Sequence, residues 1–182
     1  MTISLAEAKA HCVVEHSLDD GYLVGLIQAA TAATEDYTRT AITQRSISKT
    51  FAEFGDMRLK GPLKSVTSIT YVDNNGNPQT VAPSVYQNCG VWTATSESTT
   101  APYITLAYDQ HWPDARVQAE AVTVNYVAGY QQNEIPEALR HAVLLMIGNL
   151  YANREPIVIG ASVAKLGLSY EWLLRPFRVL NL

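Results

Sequence analysis

Along the first forty positions apolar residues recur every three or four places. Leu23, Leu26, Ile27, Ala30, Thr34 and Tyr37 fall on one helical face. Ser4-Leu5-Ala6-Glu7 reads as a capping box, the Ser4 hydroxyl accepting from the Glu7 amide while Glu7 reaches back. It predicts a short helix to about Val14. Ser17 is placed to cap a second helix, with Asp19 and Asp20 in its first turn at the positive end of the macrodipole. The small Ala29–Ala33 stretch suits close helix packing. From Ala41 the period shifts to alternation, and Thr, Ile, Val, Phe and Tyr crowd in. The pattern predicts strands over Ser46–Phe54, Met57–Leu59, Val66–Asp73, Gln79–Ala82, Ser84–Asn88, Tyr103–Tyr108 and Ala121–Val127. Asn75-Gly76, both tolerant of positive φ, predicts a hairpin between the third and fourth. Helix returns with Pro136 at its first position. Leu139, Ala142, Val143, Met146, Ile147, Leu150 and Tyr151 then form a stripe wide enough for the most buried element of the chain. Arg154 and Glu155 end it before Pro156. A connector from Ile157 to Gly167 leads to a last helix capped at Ser169, with Trp172, Leu173 and Leu174 as its apolar side and Pro176 as its limit.

These elements predict an α+β fold. A small helical bundle, residues 1–40 and 131–182 with two helices from each end, carries a β-sheet insertion of mostly antiparallel strands over 41–130. Composition sharpens this. Apolar residues make up 47% and charged residues 16% of the 182, against about 25% charged in an average domain. Ser, Thr, Asn, Gln and Tyr fill the deficit, which points to sheets with hydroxyl-rich faces. The net charge of −4 is concentrated at the start: residues 1–40 hold two basic and six acidic side chains. No basic stripe offers itself to phosphates, which argues against tight nucleic-acid binding. Cys12 and Cys89 lie in unlike segments and are expected as free thiols. The chain has neither a signal-peptide pattern nor an apolar run near 18 residues, so a product soluble in the cytoplasm where it is made, with no membrane partner, is expected.

Candidate chemistry is thin. His11, Cys12 and His16 are the one tight group of metal-capable side chains, short of the four ligands zinc takes, so no metal or cofactor is expected. Asp109-Gln110-His111, with Tyr108, could form an acid-base pair, yet no G-x-S-x-G elbow accompanies it. Asp19-Asp20 and Glu35-Asp36 are adjacent in sequence, so on a helix each pair diverges and cannot share a proton; solvated faces are the expectation. No phosphate-cradling glycine loop is present. The apolar end, Trp172, Leu173, Leu174, Phe177, Val179, Leu180 and Leu182 with Arg175 and Arg178 interleaved, either folds back on its own core or docks into a partner.

The order of segments resembles the head-tail connector adaptors of long-tailed phages, in the longer branch whose helices are separated by a β insertion. The strings that carry the resemblance are Ser4-Leu5-Ala6-Glu7-Ala8-Lys9, Thr40-Ala41-Ile42-Thr43-Gln44, Gly61-Pro62-Leu63-Lys64-Ser65-Val66 and Val124-Asn125-Tyr126-Val127-Ala128-Gly129-Tyr130. Ile135-Pro136-Glu137-Ala138-Leu139-Arg140, Tyr151-Ala152-Asn153-Arg154-Glu155 and Leu173-Leu174-Arg175-Pro176-Phe177-Arg178 complete the set. The polar stretch Cys89–Pro102 departs from the pattern. The resemblance implies a structural virion protein rather than an enzyme. It would form a homo-oligomeric ring, expected as a dodecamer, below the portal protein and above a tail-completion or stopper protein, with genome DNA passing through the lumen unbound. It also implies a portal-docking peg, assigned here to Trp172, Leu173, Leu174, Arg175, Phe177, Arg178 and Leu180. The competing reading is a small hydrolase or ligand-binding domain with a pocket near Asp109 and His111.

Overall fold

The computed structural model describes residues 3–91, 101–154 and 167–179, the side chains of 167–169 excepted. The α+β class expected from the sequence is what it shows. The chain falls into two compact units, residues 1–42 with 131–178 and residues 43–130 with 179–182.

The first unit is helical: α1 (Leu5–Cys12), α2 (Asp20–Thr38), α3 (Glu137–Ala152) and α4 (Gly167–Leu174). α3 packs against each of the other three. Its buried arc is Leu139, Ala142, Val143, Leu144 and Ile147. Having neighbours on several sides turns that arc from the predicted stripe: Leu144 joins it, while Met146, Leu150 and Tyr151 are only half-buried. At Gly148 an added Cβ would come within 3.1 Å of His11 Nε2, so glycine lets α1 approach α3 closely. α2 buries Leu23, Ile27, Ala30 and Thr34 as its spacing predicts. Ala29, Ala32 and Ala33, expected to serve close helix packing, are by contrast exposed. The hydroxyls of Thr34 and Thr38 are satisfied within the helix by Ala30 and Thr34 carbonyls, at 2.8 and 2.7 Å.

Several helix ends differ from expectation. Ser4 accepts from the Glu7 amide at 3.2 Å as predicted, but the Glu7 carboxylate takes Arg140 instead of reaching back. Ser17 does not cap α2; Asp19 stands at the cap position and makes no side-chain cap bond. Pro136 sits one residue before α3 with extended ψ. The backbone of α4 starts at Gly167, before Ser169, and passes into a 3₁₀ turn over Arg175–Phe177, where Pro176 stops it. Glu155, Pro156 and the connector up to residue 166 lie outside the described residues.

The second unit holds β1 (Arg45–Phe51), β2 (Met57–Arg58), β3 (Leu63–Val72), β4 (Pro78–Thr80), β5 (Tyr86–Cys89), β6 (Tyr103–Leu106) and β7 (Val122–Ala128). They form two antiparallel sheets, β1-β7-β3-β4 and β2-β6-β5. All seven expected strands exist with shifted ends. β1 stops at Phe51, β3 starts three residues early at Leu63, a 3₁₀ turn at Pro83–Val85 delays β5, and β6 ends before the turn in which Asp109 has φ 57°. β7 is the spine of the larger sheet. Val122, Val124, Tyr126 and Ala128 are buried on one face, and Thr123, Asn125 and Val127 lie half-buried on the other. That alternation is the period of a strand with one covered face. The polar face continues as Ser46, Ser48 and Thr50 on β1 and Ser65, Ser68 and Thr70 on β3, the hydroxyl surface expected from composition.

The β3–β4 hairpin is built around one carboxylate. Asp73 Oδ1 accepts from the amides of Asn75 and Asn77, both at 2.9 Å, and its carbonyl accepts from Gly76. Of the two turn residues, only Gly76 takes positive φ, at 87°. The amide of Asn77 is the largest of the contributions holding the Asp73 carboxyl below its ordinary value. Just past β7, Gly129 has φ 104°, and a Cβ there would stand 2.4 Å from the Thr43 carbonyl oxygen.

Candidate functional site

The groups that could have formed a catalytic or metal centre do not converge. Tyr108 is 93% exposed, and Asp109, Gln110 and His111 beside it are exposed on a turn closed by the Gln110 amide on the Ala107 carbonyl. The neighbouring Trp112 is occupied structurally, stacking on Phe54 at 4.8 Å. In the helical unit His11 meets His141 edge-on at 6.5 Å, His16 is exposed, and burial pushes the Cys12 thiol up. Among the described residues no three His, Cys, Asp or Glu side chains gather as metal ligands, and both cysteines are free.

The carboxylates expected on solvated faces are largely engaged. Glu35 is buried, and its Oε1 accepts the Ile42 amide at 2.8 Å, tying the end of α2 to the strand-like exit that follows. Asp20 pairs with Lys9 at 2.7 Å, joining α2 to α1. Glu7 receives both contacts of Arg140 Nη1 at 3.0 and 3.2 Å, joining α1 to α3. Asp19 accepts the Tyr151 hydroxyl at 2.6 Å and Arg154 at 3.1 Å, while the guanidinium covers the rings of Tyr22 and Tyr151. The Tyr151 hydroxyl, and after it Arg154 and His16, hold the Asp19 carboxyl below its ordinary range. Asp19 in turn raises Tyr151. Four of the six acids in the first forty residues therefore act inside the bundle, leaving Glu15 and Asp36 exposed.

The C-terminal segment divides. Leu174, expected on the docking surface, is fully buried and so presents no exposed side chain there; α4 packs on α3 and α2. Leu173 and Phe177 are half-buried. Trp172 is 71% exposed. Arg175 and Arg178 are also exposed, Arg178 lying over the Tyr37 ring at 5.3 Å. Leu180 lies outside the described residues. What remains exposed is the Trp172 indole with Arg175 and Arg178, side-chain types favoured at interface centres.

Comparison with known proteins supplies the context. Residues 2–75, from α1 through β3, match the family model described as phage gp6-like head-tail connector protein. No curated protein matches the chain. Among solved structures it is similar over its whole length to a chain from the neck of an empty gene transfer agent (GTA) particle computed with C6 symmetry. There the TM-score is 0.76 at 22% identity, with 91% of that chain covered. A chain from the virion of the native GTA particle gives TM-score 0.77 at 20% identity, covering 100% of this chain and 91% of that one. The neck of the native particle computed with C12 symmetry gives 0.75 at 21%, with the same coverage. These likenesses are of fold, and the resemblance read from the sequence strings holds.

Proposed function

We propose that this chain is a structural subunit of a virion's head-tail connector, because a connector-family match over its first helices and strands is joined to a full-length fold likeness to a neck component. The full-length likeness is the observation that carries the reading. The subunit forms a closed homo-oligomeric ring, twelve-membered in the expectation above, by a head-to-tail contact whose rotation closes. Such a contact needs no reactive site, in keeping with the solvent-exposed Tyr108, Asp109 and His111, and the chain does no catalysis. The helical body carries the sheet insertion as a second domain. Trp172, Arg175, Phe177 and Arg178 meet the portal protein, and a tail-completion or stopper protein binds the opposite side. DNA passes through the lumen because no basic stripe would hold it; most N-terminal acids are spent within the bundle and contribute little repulsion.

Native mass measurement and negative-stain imaging of the chain, alone and with the portal protein, test this. Rings of uniform copy number on the portal are expected. A chain that stays monomeric in both conditions would overturn the reading.

A further inference from the structure

The larger sheet has two outer strands of unlike character. β4 is guarded in the usual ways: it is three residues long and opens with proline. β1 carries none of these guards. It is seven residues long without Pro or Gly, five of the seven are exposed, and its register with β7 is unbroken. Among the described residues β7 is its sole strand partner. A charge pointing off the edge is the remaining guard; of the strand's two cations, Arg45 donates its Nη1 to the Thr43 carbonyl at 3.4 Å, at the strand's start, and Lys49 is turned away from that task. Its Nζ donates to the Arg58 carbonyl at 2.7 Å and sits 5.1 Å from the Phe51 ring centroid. A long, straight edge of this kind is a template for another strand.

We infer that β1 is a homotypic pairing edge, along which two copies of this chain join antiparallel, two-fold about Ser48, into one eight-stranded sheet. The strand's own sequence selects that partner and that register. Centred on Ser48, Arg45 faces Phe51, Ser46 faces Thr50, Ile47 faces Lys49 and Ser48 faces its twin, with no like charges opposed. Moving the centre to Ile47 sets Arg45 against Lys49, and moving it to Lys49 sets that lysine against itself; like charges directly opposite are destabilising. The faces agree as well. Ser46, Ser48 and Thr50 lie on the hydroxyl face, paired to Val127, Asn125 and Thr123, so hydroxyls meet hydroxyls across the seam. Arg45, Ile47, Lys49 and Phe51 lie on the other face, where Arg45 stands opposite the partner copy's Phe51 and Ile47 opposite its Lys49. The contact is isologous and stops at two copies. It is distinct from the head-to-tail contact of a ring and does not rest on that assignment.

Ser48 is exposed, so Ser48→Lys and Ser48→Glu should fold with unchanged melting. Sedimentation equilibrium of the full chain over a rising concentration series should show self-association in the wild type. Each variant alone should weaken it at least tenfold, and an equal mixture of the two should recover it, because opposite charges then face each other. Wild-type association unaffected by either variant, a mixture no better than its components, or a wild type that never self-associates would each overturn the proposal. A Ser48→Cys variant in a Cys12→Ser, Cys89→Ser background gives a readout that ring formation cannot mask: oxidation should produce a linked dimer on a non-reducing gel, and its absence would also overturn the proposal. Portal-bound rings formed by Ser48→Lys would leave the connector reading standing while the pairing edge fails or holds on its own measurements.

Discussion

Gly129→Ala is the sharpest test of how the sheet unit is closed. At φ 104° the backbone lies where side chains are rarely accommodated, and the added methyl would stand 2.4 Å from Thr43 O, 2.5 Å from its carbonyl carbon and 2.6 Å from Gln44 N. These are backbone atoms fixed by the Gln44 amide's bond to the Tyr130 carbonyl at 3.0 Å, so no side chain can swing aside. The strained conformation costs about 1–3 kcal/mol and the forced backbone shift about as much again. The expected loss is therefore about 2–6 kcal/mol, a large part of the roughly 5–15 kcal/mol that stabilises a typical protein. Urea or thermal unfolding followed by circular dichroism would read it as a melting temperature lower by at least about 4 °C. Gly25→Ala is the matched control. It lies within α2 with nothing inside 4 Å of the added carbon, so the same chemical change should stabilise by about 0.5–1 kcal/mol. If Gly129→Ala melts with the wild type, the close approach between the end of β7 and the entry to β1 is wrong.

Other consequences are open to measurement. Ile147→Ala, at a fully buried position of α3, should cost about 2–5 kcal/mol in urea unfolding, and Met146→Ala, half-buried, clearly less; equal losses would mean that the helix is rotated from its described face. The Asp19 and Asp73 carboxyls are held below their ordinary value of 3.8. Their contribution is therefore complete above that pH and is lost as pH falls through the lower folded values. Acid unfolding should be shallower in Asp19→Asn, and an unchanged acid limb would remove the Tyr151–Asp19–Arg154 tie from the account. Trp172→Ser should lower portal attachment at least tenfold with unchanged melting, since the indole is mostly exposed; undiminished attachment would end the docking assignment.

The switch from a period near 3.6 to one of 2 and back was legible because each helix and strand keeps one covered face, and burial on β7 alternates residue by residue. The hairpin was legible from Asn75-Gly76, but its organiser was not: Asp73 looks like any strand-end acid until the chain folds its own amides onto it. Glu35 was misjudged for a related reason. Its partner is a backbone amide seven residues on, a bond that leaves no mark in side-chain pattern. Ser17 was expected to cap α2 with Asp19 in its first turn, whereas Asp19 takes the cap position and its carboxylate goes to Tyr151 and Arg154, partners distant in sequence. The buried Leu174 shows the same limit at the C-terminal end. Spacing says that a residue is apolar-facing, and only the neighbours α2 and α3 decide whether the face belongs to the subunit or to a partner.

The place of β7 has a consequence for how the chain is made. β1 and β3 both hydrogen-bond to it, and it is the last of the seven strands among the described residues to be synthesised. Until Ala128 has left the ribosome, neither can complete its ladder, and the nascent chain carries two unsated strands. Pairings this distant in sequence form slowly, and exposed strand edges are where unfinished chains stick to one another. The layout makes the sheet unit all-or-none in time: a truncated product lacking β7 should be an aggregating or chaperone-bound species rather than a smaller working part.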